Sequence, residues 1–453
     1  MNYKFPEDFM WGVGGSAFQM EGAMLEDGKT LNNREASFFS TEGPRENFRD
    51  PRSPAVGCDF YHKYPEDLKL MGELGPKVFR YSIAWSRIIP SKDAEPNQKA
   101  IDYYNDVINK MIEQGITPFM DIFHADLPLW VFEEGGLIDD RFVEWFTRYA
   151  TVCFREFGDR VKYWSTVNEP MLMVFAPYST ARSIPFHTHQ EEAFQATHNM
   201  ILAHFSAVRA LRKIVPDAKI GIVNNFAEVY SMNFDPEDMA ACERRVAMYL
   251  TLLDPMIKAE YPPELVAYPN SAPYFTEKRK REIKEQFVPM DFIGMNCYTP
   301  KFSKNDPERL FGYGSVKVDH LPEDAYGFVS YAPGLFDALV RLDERYGGMP
   351  IFVTENGYTQ KREDMNNMDL DQFQHDQARI NYMREHIRAC ARALKQGVNL
   401  KGYFYWCFMD SWEVGLGFSV PMGVVGVNFD TLERRPRDSF YYYQQVIKNN
   451  MID

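Results

Sequence analysis

Hydrophobic and polar positions along the chain fall into two alternating patterns. Short, nearly continuous apolar runs begin at Phe9 (FMWGVGG), Lys77 (KVFRYSI), Ile116 (ITPFMDIF), Val161 (VKYWSTV), Ala218 (AKIGIVN), Asp291 (DFIGMNCY), Pro350 (PIFVTE) and Gly402 (GYFYWCF). Most of them fail to alternate between apolar and polar, which is expected of parallel strands buried on both faces. Between them lie longer segments of helical period. Phe373, Ile380, Met383, Ile387, Cys390 and Leu394 share one stripe, with Arg379, Glu385 and Arg388 elsewhere. The stretch 139–157 opens with acidic residues suited to a helix N-terminus and continues with Phe142, Trp145, Phe146 and Tyr149. Gly75, Gly115, Gly158, Gly347 and Gly397 each fall between a helical run and the next strand, the place for a C-terminal cap.

Eight such alternations predict an α/β fold, a closed (β/α)8 barrel rather than an open doubly wound sheet. No Pro/Ser-rich linker or low-complexity tract divides the chain, so residues 1–453 read as one barrel domain. The surplus length belongs in βα-loops, at 20–61, 171–190 and 296–332, which are rich in turn and polar residues.

In such a barrel, chemistry gathers at the C-terminal ends of the strands. Read in order, these tips carry Gln19, Arg80, His124, Asn168 with Glu169, Asn225, Asn296 with Tyr298, Glu355, and Trp406 with Asp410 and Glu413. They would converge on one cavity. The segment YWSTVNEP (163–170) is the most telling, because it sets a carboxylate at the end of a buried strand and follows it with a proline. A carboxylate there needs a partner or a purpose, and Pro170 cannot extend the ladder. Two carboxylates facing each other across a cavity suit glycosidic cleavage, where one protonates the leaving oxygen and the other attacks or activates water.

Composition narrows the alternatives. The chain has 453 residues, 45% hydrophobic and 25% charged, enough for a large core. Its net charge of −14 argues against nucleic acid and anionic membrane surfaces as partners. The six cysteines show no C-x-x-C spacing, as expected of reduced thiols rather than a zinc site or a disulfide framework. MNYKFPEDFMWG lacks the basic start and apolar run of a signal peptide, and no uninterrupted apolar stretch approaches eighteen residues. A cytoplasmic enzyme without cofactor or metal is expected.

The motifs STVNEP and VTENG resemble the acid/base and nucleophile motifs of glycoside hydrolase family 1, the β-glucosidase-like enzymes. FMWGVGGSAFQMEGA, FRYSIAWSRIIP, GMNCYT, GYFYWCFMDSWE and NFDTLERRPRDSFYYYQQVI extend the likeness over nearly the whole chain, in order and spacing. The resemblance implies a retaining β-glycosidase acting on a small-molecule β-glycoside or oligosaccharide. Glu355 would be the nucleophile and Glu169 the acid/base, with Arg80 and Tyr298 holding Glu355 ionised. Asn168 would contact the sugar 2-hydroxyl, with Asn296 beside it among the substrate-binding residues. Gln19, His124 and Glu413 would bind other hydroxyls, and Trp406 would stack beneath the ring. The two carboxyls of a retaining pair stand roughly 5–5.5 Å apart.

Two departures cluster at the sugar site. HADLP has Ala125 where the family usually has tryptophan, and SWEV has Val414 where it has another. Loss of two indoles predicts a wider, less polar region around O3 and O4, a sugar modified or substituted on that side, and Trp412 as a candidate to fill the gap. SVPMG (419–423) lacks the Ser, Lys and Tyr pattern of phosphosugar-specific relatives. Trp85 and Trp164 read as packing, Asp126 and Asp410 as structural hydrogen-bonders, and GVGGSA (12–17) as a tight barrel turn. His187 and His189 lack accompanying acidic ligands in the sequence and read as loop residues. The rival functions are a non-catalytic sugar-binding barrel, a metal-dependent hydrolase and a transglycosidase.

Overall fold

The computed structural model describes residues 3–39, 53–360 and 367–453. Eight parallel strands close into a barrel: β1 (Met10–Gly15), β2 (Val78–Ser82), β3 (Thr117–Phe123), β4 (Tyr163–Asn168), β5 (Lys219–Asn225), β6 (Phe292–Asn296), β7 (Ile351–Asn356) and β8 (Leu400–Tyr405). Each pairs with its neighbours in chain order, and β8 closes on β1 through Phe404 opposite Gly12. All eight apolar runs of the sequence become these strands.

A long helix follows each strand. These are α1 (Phe60–Leu74), α2 (Gln98–Glu113), α3 (Phe142–Phe157), α4 (Gln190–Ile214), α5 (Pro236–Tyr249), α6 (Ala332–Tyr346), α7 (Gln377–Gln396) and α8 (Asp438–Asn449). Their apolar stripes lie on the barrel wall; in α3 it is Phe142, Trp145, Phe146 and Tyr149 that are buried. Gly397, at φ 100, ends α7 in the left-handed conformation expected of a cap. Gly158 instead keeps a right-handed φ of −70. Space demands glycine there, since a Cβ would lie 2.3 Å from Val215 Cγ2 and 2.4 Å from the Phe154 carbonyl oxygen.

The long loops are more ordered than their composition suggests. Most of 171–190 is taken up by a helix, Pro170–Tyr178, and its return to α4. Within 296–332, strands Lys301–Asn305 and Tyr313–Ser315 pair antiparallel, and Val229–Ser231 joins them as a three-stranded sheet outside the barrel. Of the first loop, residues 40–52 lie outside the described residues.

Inside the barrel, Val78, Phe119, Phe292, Phe352 and Phe404 form a separate buried cluster at the early turns of their strands. The Phe119 ring lies 5.3 Å from Phe292 and 5.7 Å from Phe404, edge to face. Two residues further along the same strands stand Arg80, Asp121, Thr354 and Trp406. The period-two alternation therefore lays a polar layer directly on an apolar plug. All six cysteines are buried and unpaired. Among the described residues, no helix is long and apolar enough to cross a membrane.

Candidate active site

The strand tips open into one cavity of about 1100 Å³. Gln19, His124, Asn168, Glu169, Asn225, Asn296, Tyr298, Glu355, Trp406 and Glu413 all line it, so tip residues far apart in sequence do meet.

Glu169 and Glu355 belong to one hydrogen-bonded chain. Tyr298 OH donates to Glu355 Oε2 at 2.7 Å, and Arg80 Nη1 donates to Oε1 at 2.6 Å. Arg80 Nη2 donates to Asn168 Oδ1 at 2.6 Å, which also accepts from Asn296 Nδ2 at 2.9 Å. That same Nδ2 donates to Glu169 Oε1 at 3.0 Å. Thr354 Oγ1 donates to Asn296 Oδ1 at 2.8 Å and so fixes which end of the amide faces the carboxylate.

The backbone aims both acids. Glu169 sits at φ 48, ψ 52, the left-handed region that a non-glycine residue enters at a cost of about 1–3 kcal/mol. It is the N-cap position of the helix Pro170–Tyr178, and its N–H donates to the Val223 carbonyl at 2.8 Å. The oddity of YWSTVNEP is a strand that stops at Asn168 and turns sharply so that Glu169 faces the cavity. Register shifts interrupt the pairing of β4 with β5 before Asn168 and that of β7 with β6 at Glu355. Such irregularities re-aim side chains.

The two environments differ. Burial and then the charge of Glu355 push the Glu169 carboxyl from 4.5 up to about 8. Glu413 is likewise raised to about 8, by burial and Glu355, although Gln19 Nε2 donates to its Oε2 at 2.9 Å. Ser16 Oγ donates to Gln19 Oε1 at 2.7 Å and orients that amide. Arg80 is fully buried and also ion-paired to Asp121 at 2.5 Å. Burial opposes charge on Asp121, yet the Arg80 guanidinium carries its carboxyl below the ordinary value. Asp121 passed unnoticed in the sequence because it stands inside an apolar strand run; its only signal was a charge at an inward position, two residues after Phe119.

Trp406 lies over the polar layer, its ring stacked on His124 at 5.6 Å between centroids. Gly14 makes room for it, since a Cβ there would come within 2.7 Å of the indole. His124 Nε2 faces Asn168 Nδ2 at 3.1 Å, and Asn168 Oδ1 is taken by Arg80 and Asn296. Nε2 is thus the acceptor of the Asn168 amide.

The family model for glycosyl hydrolase family 1 matches residues 1–452. The chain belongs to glycosyl hydrolase family 1. It is 35% identical to β-glucosidase A of Thermotoga maritima over 99% of both chains. It is 36% identical to the 6-phospho-β-glucosidase GmuD of Bacillus subtilis, over 99% of this chain and 98% of that one. The solved β-glucosidase from Thermotoga maritima in complex with glucoimidazole superposes with a TM-score of 0.92, at 35% identity and 99% coverage of both chains. The protein is therefore an O-glycosyl hydrolase with the (β/α)8 barrel of its family.

The cavity wall around Ala125 and Val414 departs from the sequence reading in two respects. Trp412 does not fill the space left at Ala125 and Val414. It is fully buried and packs behind the cavity wall, with Phe18 at 5.5 Å and Phe38 at 6.3 Å between ring centroids, in a cluster that Val414 covers from the cavity side. Nor is the region simply less polar. The Arg34 side chain lines it, Nε donating to the Ala125 carbonyl at 3.0 Å. Arg34 lies in the first loop, away from every strand tip, so no tip-by-tip reading could reach it.

Other side chains fall outside the cavity. Trp85 and Trp164 are fully buried packing residues. Asp410 accepts Arg437 Nη1 on Oδ1 at 2.8 Å and Nη2 on Oδ2 at 2.6 Å. Asp126 is different: among the described residues neither of its oxygens accepts a hydrogen bond, and burial pushes its carboxyl well above the usual range. His187 and His189 do have an acidic neighbour, Glu192, one turn into α4, whose oxygens meet their Nδ1 atoms at 2.6 and 3.2 Å.

Proposed function

We propose that this family member is a retaining β-glycosidase in which Glu355 is the nucleophile and Glu169 the acid/base. What carries this reading is the asymmetry of the two carboxyls within one network. Arg80 and Tyr298 donate to both oxygens of Glu355, matching an ionised attacking group. Glu169, raised to about 8, holds its proton at neutral pH.

Glu355 attacks the anomeric carbon as Glu169 passes its proton to the leaving oxygen, giving an alcohol and an ester of the sugar on Glu355. Esterification removes the Glu355 charge, which lowers the affinity of Glu169 for a proton. Glu169 then takes a proton from water as the water attacks, and Glu355 leaves as carboxylate. Asn168 and Asn296 lie between the two acids, where a 2-hydroxyl would come, while Gln19, Glu413 and Trp406 form the sugar floor and wall.

The glycone we favour is a glucose-like ring modified or substituted on the side of Ala125 and Val414, where Arg34 and Phe18 also line the cavity. A 6-phosphate is disfavoured. Of 419–423 only Met422 lines the cavity, and the carbonyls of Pro421 and Gly423 are occupied by the buried Arg379.

A panel of aryl β-glycosides with product anomers followed by NMR tests the reading. The β-anomer should appear first, and Glu355→Gln should lower turnover at least about 10⁴-fold in a folded protein. The α-anomer appearing first, or normal turnover in Glu355→Gln, overturns it.

A further inference from the structure

An acidic protein has little reason to gather cations inside its own cavity, yet four cationic side chains line the end away from the sugar floor: Arg182, Arg245, Lys301 and Arg309, the last of them exposed and paired with Asp306. Arg245, on α5, is 91% buried, its exposure being 9%. Its Nη1 donates to the Phe302 carbonyl at 3.1 Å and to Ser303 Oγ at 2.8 Å, while its Nε is buried without a hydrogen-bond partner. Its guanidinium stands 5.3 Å from the Tyr313 ring centre. Lys301 begins the outer strand Lys301–Asn305, with Nζ 5.7 Å from the centre of the Phe328 ring. Arg182 comes from the loop before α4, and its charge and that of Arg245 both act on Tyr313.

Among the described residues, no carboxylate pairs with Arg182, Arg245 or Lys301. The acids lining the cavity are Glu169, Glu355 and Glu413, all at the sugar end. Among the described residues, Lys301 and Arg182 have no ion-pair partner. Burial, with the charge of Arg245, holds the Lys301 ammonium down at about 8, the direction expected of a cation without a counter-ion.

The cluster lies on the side of Glu169. Tyr249, at the end of α5, is influenced by both the Arg245 charge and the Glu169 carboxylate. Lys301 follows Tyr298 by three residues, in the loop after the strand whose Asn296 donates to Glu169. Arg182 lies just beyond the helix that Glu169 caps. The group that protonates the leaving oxygen faces the leaving group, so what lies beyond it is the aglycone site. Ser179, Thr180, Gln190 and Ser315 add neutral polar groups to the lining there.

We propose that Arg182, Arg245 and Lys301 form a subsite for an acidic group on the aglycone, making the substrate a β-glycoside whose leaving group carries a carboxylate, sulfate or phosphate. This rests on the glycosidase reading above and adds the class of its second substrate half. Arg245, its Nη1 held by the Phe302 carbonyl and Ser303, supplies a fixed buried charge, while Lys301 and Arg182 supply donors without ion-pair partners among the described residues, in a partly dehydrated setting where an anion gains most.

The test uses 4-carboxyphenyl and 4-carbamoylphenyl β-glycosides of the same sugar, with glucose, galactose, mannose and xylose as glycones, and 4-sulfophenyl and 4-phosphonophenyl analogues to separate the anion types. In the wild type the ratio of kcat/KM for the carboxylate to that for the amide should exceed the ratio in the Arg182→Ala, Lys301→Met double variant by about tenfold or more. Comparing ratios cancels the intrinsic reactivity of the two phenols. The wild-type ratio should fall between about 20 and 500 mM NaCl, and Lys301→Arg should restore most of it to Lys301→Met. Whichever anion gives the largest ratio identifies the group recognised. Ratios equal in wild type and double variant for all three anions overturn the subsite while leaving the glycosidase reading intact. No turnover of any neutral or anionic glycoside overturns both.

Discussion

The proton affinity of Glu169 should depend on whether Glu355 carries charge, and the size of that dependence can be worked out. Its carboxyl stands at about 8 against an ordinary 4.5, with burial as the first cause and the Glu355 charge as the second. Two like charges about 5 Å apart at an effective dielectric of about 20 repel by about 3 kcal/mol. That corresponds to at most about 2 pH units; burial contributes more, and the Asn296 hydrogen bond and the Arg80 charge offset part of both. Glu355→Gln keeps the shape and removes the charge, while Arg80 retains its Asp121 partner. Titrating the glutamate side-chain carboxyl carbons by ¹³C NMR in wild type and in Glu355→Gln measures the change directly. The Glu169→Gln spectrum separates the Glu169 signal from that of Glu413, which titrates in the same range. The Glu169 midpoint should fall by about one to two pH units in Glu355→Gln and stay above 5, because burial persists. A midpoint that does not move shows that the acids are not electrostatically coupled, and the proposed acid-to-base switch then loses its cause. A wild-type midpoint near 4.5 refutes the assignment of Glu169 as the proton carrier.

The same affinity has a cost in stability. With a folded value near 8 and an unfolded one near 4.5, the native state holds its proton more tightly, so Glu169 lowers stability as pH rises from 4.5 to 8 and has no effect below that window. Glu169→Gln should therefore raise stability by about 1–3 kcal/mol at pH 7.5 and by little at pH 4.5, measured by chemical denaturation; equal effects at both pH values contradict it. Arg437→Met should cost about 3–5 kcal/mol by leaving Asp410 buried without its guanidinium, and a loss under 1 kcal/mol on denaturation would show that pair to be incidental.

The barrel was legible because parallel strands announce themselves as unbroken apolar runs, and because eight of them separated by helical stripes have few other closed arrangements. The cavity was legible tip by tip, since Glu169, Tyr298 and Glu355 stand at or just past strand ends and Gln19 shortly after one, whereas Arg80, read as a tip residue, sits mid-strand in the layer beneath and reaches Glu355 from there. What escaped notice depends on side-chain direction or on contacts between distant loops. Trp412 reads as an available indole beside Glu413, but it is buried against Phe18 behind the cavity wall, a packing contact that sequence position does not signal. Arg34 and the three-stranded sheet carrying Lys301 come from loops, where no period in the sequence signals position. Asp121 was hidden by its apolar neighbours, although it is the second anion that holds Arg80 in place.

The phenylalanine plug at the early turns of the strands closes the barrel beneath its polar layer. A ligand of the polar layer therefore comes and goes from the strand-tip side, because the route through the core of the barrel is shut.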